Sequence, residues 1–252
     1  LIAAEGDSGN AVNLDGDFAV TVSDTGSVAA ADLTTINNKT TGLVTATALT
    51  ALTGTASALT TLMAAEADTG NAVNLDGDFA VTVSDTGSVA AADLTTINNK
   101  TTGLVTATAA ATITGTVSAL TTLIAAEGDS GNAVNLDGDF AVTVSDTGSV
   151  AAADLTTINN KTTGLVTATG VTGLTGTASA IATLMAAEAD TGNAVNLDGD
   201  FVVTVDAGSV AAADLNTING KTSGLVTATA ATTITGTSSA LTTLIAAEGD
   251  TG

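Results

Sequence analysis

Hydrophobic positions along this chain come in short bursts whose period keeps changing. FAVTV at Phe18 to Val22 and LVTAT at Leu43 to Thr47 alternate or cluster β-branched residues, and AVNL at Ala72 to Leu75 does the same. Runs of that length and composition predict short buried strands. Between them lie two stretches of good helix formers, SVAAADLTTINN from Ser27 and SALTTLMAAEA from Ser57. Each opens on a serine suited to cap a helix, and in the second Leu59, Leu62 and Met63 fall at i, i+3 and i+4 on one face. The pattern therefore predicts strands alternating with short helices. Thr-Gly and Ser-Gly steps mark the corners, where glycine would supply the positive φ of a tight bend.

The whole pattern recurs. LIAAEGDSG at Leu1 returns as LMAAEADTG at Leu62, LIAAEGDSG at Leu123, LMAAEADTG at Leu184 and LIAAEGDTG at Leu244, so that successive copies are offset by 61, 61, 61 and finally 60. A fixed period of this size means one supersecondary unit stacked many times, each burying its apolar face against its neighbours. The copies run approximately over 1–61, 62–122, 123–183 and 184–243, with the start of a fifth at 244–252. A weaker repeat inside each copy relates the string around Gly26 to that around Gly54, with a spacing of 28 to Gly54 and of 33 from there to Gly87. Each copy is thus expected to hold two coils. Parallel strands would stack about 4.8 Å apart from coil to coil. The absence of proline agrees, because every interior strand must donate to the next coil.

The expected fold is a right-handed parallel β-solenoid with short helices at some corners, running as a single uncapped array over 1–252. An α/β solenoid of the leucine-rich-repeat kind is the alternative. The chain starts and stops at the same phase of the repeat, as a segment cut from a longer array would. Differences between copies refine this picture. ALTAL at Ala48 to Leu52 reads AAATI, GVTGL and AATTI in the other copies, keeping only its last apolar position, which predicts an exposed edge. VSDTG shortens to VDAG at Val205 to Gly208, as a surface corner tolerates, and this explains the one offset of 60. Copies one and three match each other in phase, as do two and four, which points to growth by duplicated pairs.

Composition narrows the chemistry. The net charge is -22, from 26 carboxylates against 4 lysines, and arginine, histidine, cysteine, tryptophan, tyrosine and proline are absent. There is no imidazole base, no thiolate nucleophile and no bidentate phosphate clamp, so an enzyme is not expected. Nucleic acid is excluded by a strongly negative surface without a basic patch. Such acidity attracts hard divalent cations where these are plentiful, as in extracellular fluid, and the expected location is the cell surface. No apolar run is long enough to span a membrane.

The acidic run EGDSGNAVNLDGD, Glu5 to Asp17, concentrates oxygen ligands and recurs from Glu66, Glu127 and Glu188. Calcium takes six to eight oxygens, and Asn13, Asp15 and Asp17 offer three at alternate positions around a glycine. Their counterparts are Asn74, Asp76 and Asp78; Asn135, Asp137 and Asp139; and Asn196, Asp198 and Asp200. These are the candidate calcium ligands. The competing reading is Asx turns with solvated carboxylates, since the full calcium-loop spacing with its distal glutamate is missing. Thr45 with Thr47 and Thr53 with Thr55 copy the T-x-T arrangement of flat ice-binding faces. Such a face needs a ladder on every coil, and two pairs per repeat fall short of one. Lys39, Lys100, Lys161 and Lys221 are each expected opposite a carboxylate such as Asp32. Asn38, Asn99 and Asn160 open N-K-T sequons. Phe18, Phe79, Phe140 and Phe201, once per copy, belong to the core.

The strings VSDTGSVAAADLTTI, KTTGLVTAT and LTGTASALTTL resemble the Thr/Ala/Asp-rich tandem repeats of giant bacterial cell-surface proteins, including those of marine cyanobacteria linked to swimming. The resemblance covers the whole chain and implies an exported, very long protein of a calcium-rich environment. With the acidic, catalytically poor composition it leads to a structural role as filament, sheath or adhesin stalk, self-associating laterally or end to end. A calcium-dependent adhesion module is the alternative, and ice binding a remote one.

Overall fold

A computed structural model describes residues 12, 14–67, 69–189 and 191–249 and shows an α/β fold of parallel sheets and short helices. The chain falls into two compact units, Leu1–Ala111 with Ala125–Asp137, and Thr112–Ile124 with Gly138–Gly252. The first unit begins with β1 (Val20–Thr21), β2 (Ser27–Ala29), α1 (Ala30–Asn37), β3 (Val44–Ala46), β4 (Ala51–Gly54), α2 (Ala56–Ala64) and β5 (Val73–Leu75). It continues through β6 (Ala80–Val83), β7 (Ser88–Ala90), α3 (Ala91–Asn98) and β8 (Val105–Thr106). After β9 (Thr112–Gly115) and α4 (Val117–Ala125) comes β10 (Val134–Asn135), which returns to the first unit. The second unit then carries β11 (Ala141–Val144), β12 (Ser149–Ala151), α5 (Ala152–Asn159), β13 (Val166–Thr167), β14 (Gly173–Gly176), α6 (Ala178–Ala187) and β15 (Val195–Asn196). Its last elements are β16 (Val202–Val205), β17 (Gly208–Ala211), α7 (Ala212–Asn219), β18 (Val226–Thr227), β19 (Ala231–Thr235) and α8 (Ser238–Ala247).

Among the described residues all strand pairing is parallel and skips the sequence neighbour. In the first unit the ladders run β1-β3-β5 and β2-β4-β6-β8-β10. In the first of these Val20 lies against Val44 and Val44 against Val73, a short step of 24 followed by a long one of 29. In the second, Ala51 lies against Ala80, again the long step, and Val81 against Val105, again the short one. The stretch from Val73 to Val81 makes up the rest of the period. One repeat is therefore two circuits of the chain plus one strand. β5 closes one ladder, and β6 just after it joins the other. The second unit follows the same rule, with Val142 against Val166 and Val166 against Val195. The glycine spacings of 28 and 33 thus misplace the circuits, because the corner glycines of the two half-repeats are not structural equivalents.

Alternation puts the apolar member of each strand pair inside. Leu52, Val81, Val105 and Val134 share one buried column, and Leu33, Leu59 and Leu94 seal it from α1, α2 and α3. Phe79, Phe140 and Phe201 are buried, as expected, and Phe18 is half-buried. The ALTAL segment is no edge: Leu49 and Leu52 are both buried, the latter inside β4. Full burial of a leucine contributes roughly 1.5–3 kcal/mol, so inward positions dominate the stability of each circuit.

Both expected serine caps are displaced. Ser27 stays extended in β2 because it pairs with Ala51, and α1 starts only after Ala29, which has no side chain to cap it. Ser57 lies inside α2, whose cap is Thr55: its Oγ1 accepts from Ala58 N–H at 3.2 Å. Glycines with positive φ sit mainly in the acidic loops, at Gly70, Gly131 and Gly192, and not at the corner glycines Gly26, Gly87 and Gly148. In the fourth copy Asp206 takes the place of Ser84, each donating its N–H at 2.9 Å to Gly176 O and Gly54 O respectively. The missing residue follows Asp206. There Gly208 adopts φ 137° and the β17–β19 register is irregular.

Candidate functional site: threonine columns and acidic turns

Most strands carry an apolar residue followed by a polar one, and the register aligns these polar residues, whereas β2, β7, β12 and β17 carry Ser-Val-Ala and bring Ala29, Ala151 and Ala211 into register with Thr53, Thr175 and Thr235. Thr53, Thr82, Thr106 and Asn135 form one column, with Leu52, Val81, Val105 and Val134 facing the other way. The second unit has Thr114, Thr143, Thr167 and Asn196 in one column and Thr175, Thr204 and Thr227 in another. Two residues further along the chain Thr55, Ser84, Thr108 and Asp137 are exposed, but they lie beyond the strand ends, and Thr55 caps α2. Within each column the side chains stand about 4.8 Å apart from rung to rung. Of the two T-x-T pairs, Thr45 lies in β3 and Thr53 in β4, while Thr47 and Thr55 lie beyond those strands. The legible signal is the Val-Thr, Leu-Thr or Ile-Thr dipeptide of most strands, which pairs along the ladders with its like, with Val-Asn or with Val-Ala.

The acidic turns have a different construction. Asn74 is half-buried in β5, and Asp76 and Asp78 stand exposed on either side of Gly77. The carbonyl of Gly77 accepts from Thr102 N–H at 2.7 Å and from Thr102 Oγ1 at 3.2 Å. Thr101 Oγ1 donates to Phe79 O and accepts from Gly103 N–H at 2.9 Å. A Cβ on Gly103 would collide with Phe79 O, so only glycine closes this clamp. The same clamp joins Thr40 and Gly42 to Phe18, Thr162 and Gly164 to Phe140, and Thr222 and Gly224 to Phe201.

These contacts bear on the candidate cation ligands. In this turn threonine hydroxyl and amide groups donate to the carbonyls of Gly77 and Phe79. Asp15, Asp17, Asp137, Asp139, Asp198 and Asp200 are exposed like Asp76 and Asp78, while Asn135 and Asn196 are half-buried like Asn74. Asn13 lies outside the described residues. Among the described residues no three or more carboxylates gather into one group.

The remainder of each acidic run folds back on itself. Glu66 bridges to Val73 in parallel, as Glu127 does to Val134 and Glu188 to Val195. Glu66 also takes the lysine: Lys100 Nζ lies 3.4 Å from its Oε2, and Lys221 Nζ lies 3.2 Å from Glu188 Oε2. In these two copies the lysine therefore meets the glutamate of the acidic loop and not the helix aspartate. Both pairs are partly exposed and contribute about 0–1 kcal/mol.

Other carboxylates hold helix ends. Asp85 Oδ2 accepts from Ala56 N–H at 2.7 Å, and Asp146 Oδ2 from Val117 N–H at 2.7 Å, at the first residues of α2 and α4. Sequence reasoning missed this role, because donor and acceptor lie a full circuit apart in the chain and meet only through the register. The sequon asparagines Asn38, Asn99 and Asn160 are exposed, whereas Thr40, Thr101 and Thr162 are buried in the clamps. Next to the clamps, the Oδ1 atoms of Asn37, Asn98 and Asn159 are buried without a protein hydrogen-bond partner.

Among the described residues no helix is long and apolar enough to cross a membrane. The chain matches no family model, no curated protein and no solved structure.

Proposed function

We propose that the chain is a right-handed parallel β-solenoid and serves as a non-enzymatic structural segment of an extracellular fibre, sheath or adhesin stalk. One observation carries the reading: in both units the same dipeptides stack on one another, with short and long steps alternating. A surface made of recurring columns suits a spacer or a lateral contact better than a unique pocket. The composition supports it, since a charge of -22 keeps a long array soluble and no histidine, cysteine or arginine is present for catalysis. Small-angle scattering and negative-stain imaging test it. An extended particle is expected, and a compact globule would overturn the reading.

The outward hydroxyl columns favour a second reading, the binding of an ordered polar lattice such as ice. Thermal hysteresis or inhibition of ice recrystallisation, abolished by Thr82→Lys with Thr143→Lys, would support it. Freezing behaviour like that of an inert protein of equal concentration would dismiss it.

A further inference from the structure

Two kinds of dipeptide in this chain have the chemistry for a spontaneous change of the backbone, and the fold treats them oppositely. Asp-Gly occurs once per copy, at Asp15-Gly16, Asp76-Gly77, Asp137-Gly138 and Asp198-Gly199, and Asn-Gly occurs at Asn219-Gly220. In both, the amide nitrogen of glycine can attack the side-chain carbonyl carbon of the residue before it. Glycine has no Cβ to hinder the approach, and the attack closes a five-membered ring within one chain. In a free chain the asparagine is the more reactive of the two, since a carboxylate resists a nucleophile.

The structure reverses that order. Asn219 ends α7, and Gly220 follows in helical geometry with φ −72° and ψ −10°. Gly220 N–H donates to Asn216 O at 3.0 Å, so the nitrogen that would attack is tied into the last turn of the helix. The Asp-Gly steps stand in turns instead. Asp76 and Gly77 are exposed, as are their counterparts in the other copies, and a Cβ on Gly77 would meet nothing within 4 Å. What the fold grips there is the Gly77 carbonyl, held by Thr102; among the described residues no group accepts from Gly77 N–H. Asp78, on the far side of Gly77, is equally exposed but precedes the bulky, buried Phe79.

We propose that Asp15, Asp76, Asp137 and Asp198 are sites of spontaneous isoaspartate formation in the folded chain, while the fold protects Asn219. The Gly77 nitrogen bonds to Asp76 Cγ, a hydroxyl of the carboxyl group leaves with the proton of that nitrogen as water, and a succinimide closes. Water then reopens the ring at either carbonyl. Breaking the new bond to Cγ restores aspartate. Breaking the original bond between the Asp76 main-chain carbonyl and the Gly77 nitrogen routes the main chain through Cβ and Cγ and leaves a free α-carboxylate beside it. Water is the only co-reactant. The rerouted backbone is longer by one methylene, which draws Gly77 O away from Thr102 N–H, now 2.7 Å distant. Thr41, Thr163 and Ser223 hold Gly16, Gly138 and Gly199 in the same way, so the change loosens the same tie between circuits in every copy.

Ageing the full chain at neutral pH, folded in buffer and unfolded in guanidinium chloride, tests the proposal. Cleavage after the four lysines puts each Asp-Gly step on a separate fragment. Mass spectrometry with electron-based fragmentation locates the isoaspartate, and methyl transfer to its α-carboxylate by a repair methyltransferase counts it. Asp76 should isomerise in the folded chain within about threefold of its rate in the unfolded one, whereas Asn219 should be slowed by at least about tenfold, because it must wait for the helix end to open. Gly77→Ala, whose methyl group has open space, should remove most of the product at Asp76 and leave that at Asp137 unchanged. Circular dichroism checks that this variant folds, and Asp76→Glu, which leaves the glycine in place, should remove the same product. In the aged fraction Thr102 N–H should exchange faster than in fresh protein. A folded chain that slows Asp76 as strongly as Asn219, or that forms isoaspartate equally at Asp78, overturns the proposal. Unchanged exchange at Thr102 rejects the loosening of the clamp.

Discussion

α2 and α3 follow each other through the first unit, are similar in length and pack together, yet their N-termini are held by different means. α2 is tied twice, by Thr55 within its own strand-to-helix step and by Asp85 from the next circuit of the chain. α3 issues straight from β7 through Ala90, and no side chain caps it. It has Asp93 in its first turn, where a carboxylate meets the positive end of the helix dipole, and Ala91, Leu94 and Ile97 buried beneath. The difference teaches that packing suffices to hold a two-turn helix here. Capping is added where the helix leaves a strand across an exposed corner.

If so, truncating the core side should hurt both helices alike. Leu94→Ala and Leu59→Ala should each cost about 2–5 kcal/mol in thermal or denaturant unfolding, and a much milder effect in α2 would mean that its caps carry it. Removing the caps separates the two helices. Thr55→Ala and Asp85→Ala should each cost about 1 kcal/mol and speed hydrogen exchange in the first turn of α2, with the Asp85 effect shrinking in high salt. The fourth copy offers the reverse experiment, because its shortened corner places Asp206 where Ser84 stands and leaves Ala178 N–H without the aspartate bond seen at Ala56. Replacing Asp206-Ala207 by Ser-Asp-Thr should restore that bond and add up to about 1 kcal/mol, read as slower exchange at Ala178. The smallest effect is expected from Ala90→Ser, which gives α3 the hydroxyl it lacks in an extended residue suited to capping. A gain of about 0.5 kcal/mol in melting would show that the position was merely left without a cap.

Much of this architecture is legible in the residues. The period that carries Leu1 to Leu62, the strands that begin at Val44 and Val73, and the two helices of each copy follow from composition and spacing, because local propensity and burial agree at those positions. What escapes is whatever depends on register. Ser27 looks like a cap until pairing with Ala51 holds it extended. Asp85 looks like a solvated turn residue until a circuit brings it over α2. Leu49 and Leu52 look like an edge because their copies vary, yet both are buried, and the varied residues around them lie on the outward side. Thr82 and Thr106 look like ordinary strand residues until Thr53 is found in line with them.

The single strand left over after two circuits also governs how such an array can change in length. Losing one short or one long step removes a circuit but sets a strand of one kind where another belongs, and it separates Thr55-like caps from their Asp85-like partners. Losing or gaining a whole period restores every pair. Unequal crossing-over between near-identical copies exchanges whole periods, so recombination can lengthen or shorten the gene while every product keeps its strands in register. The one change of a single residue between these copies falls at a corner, after Asp206.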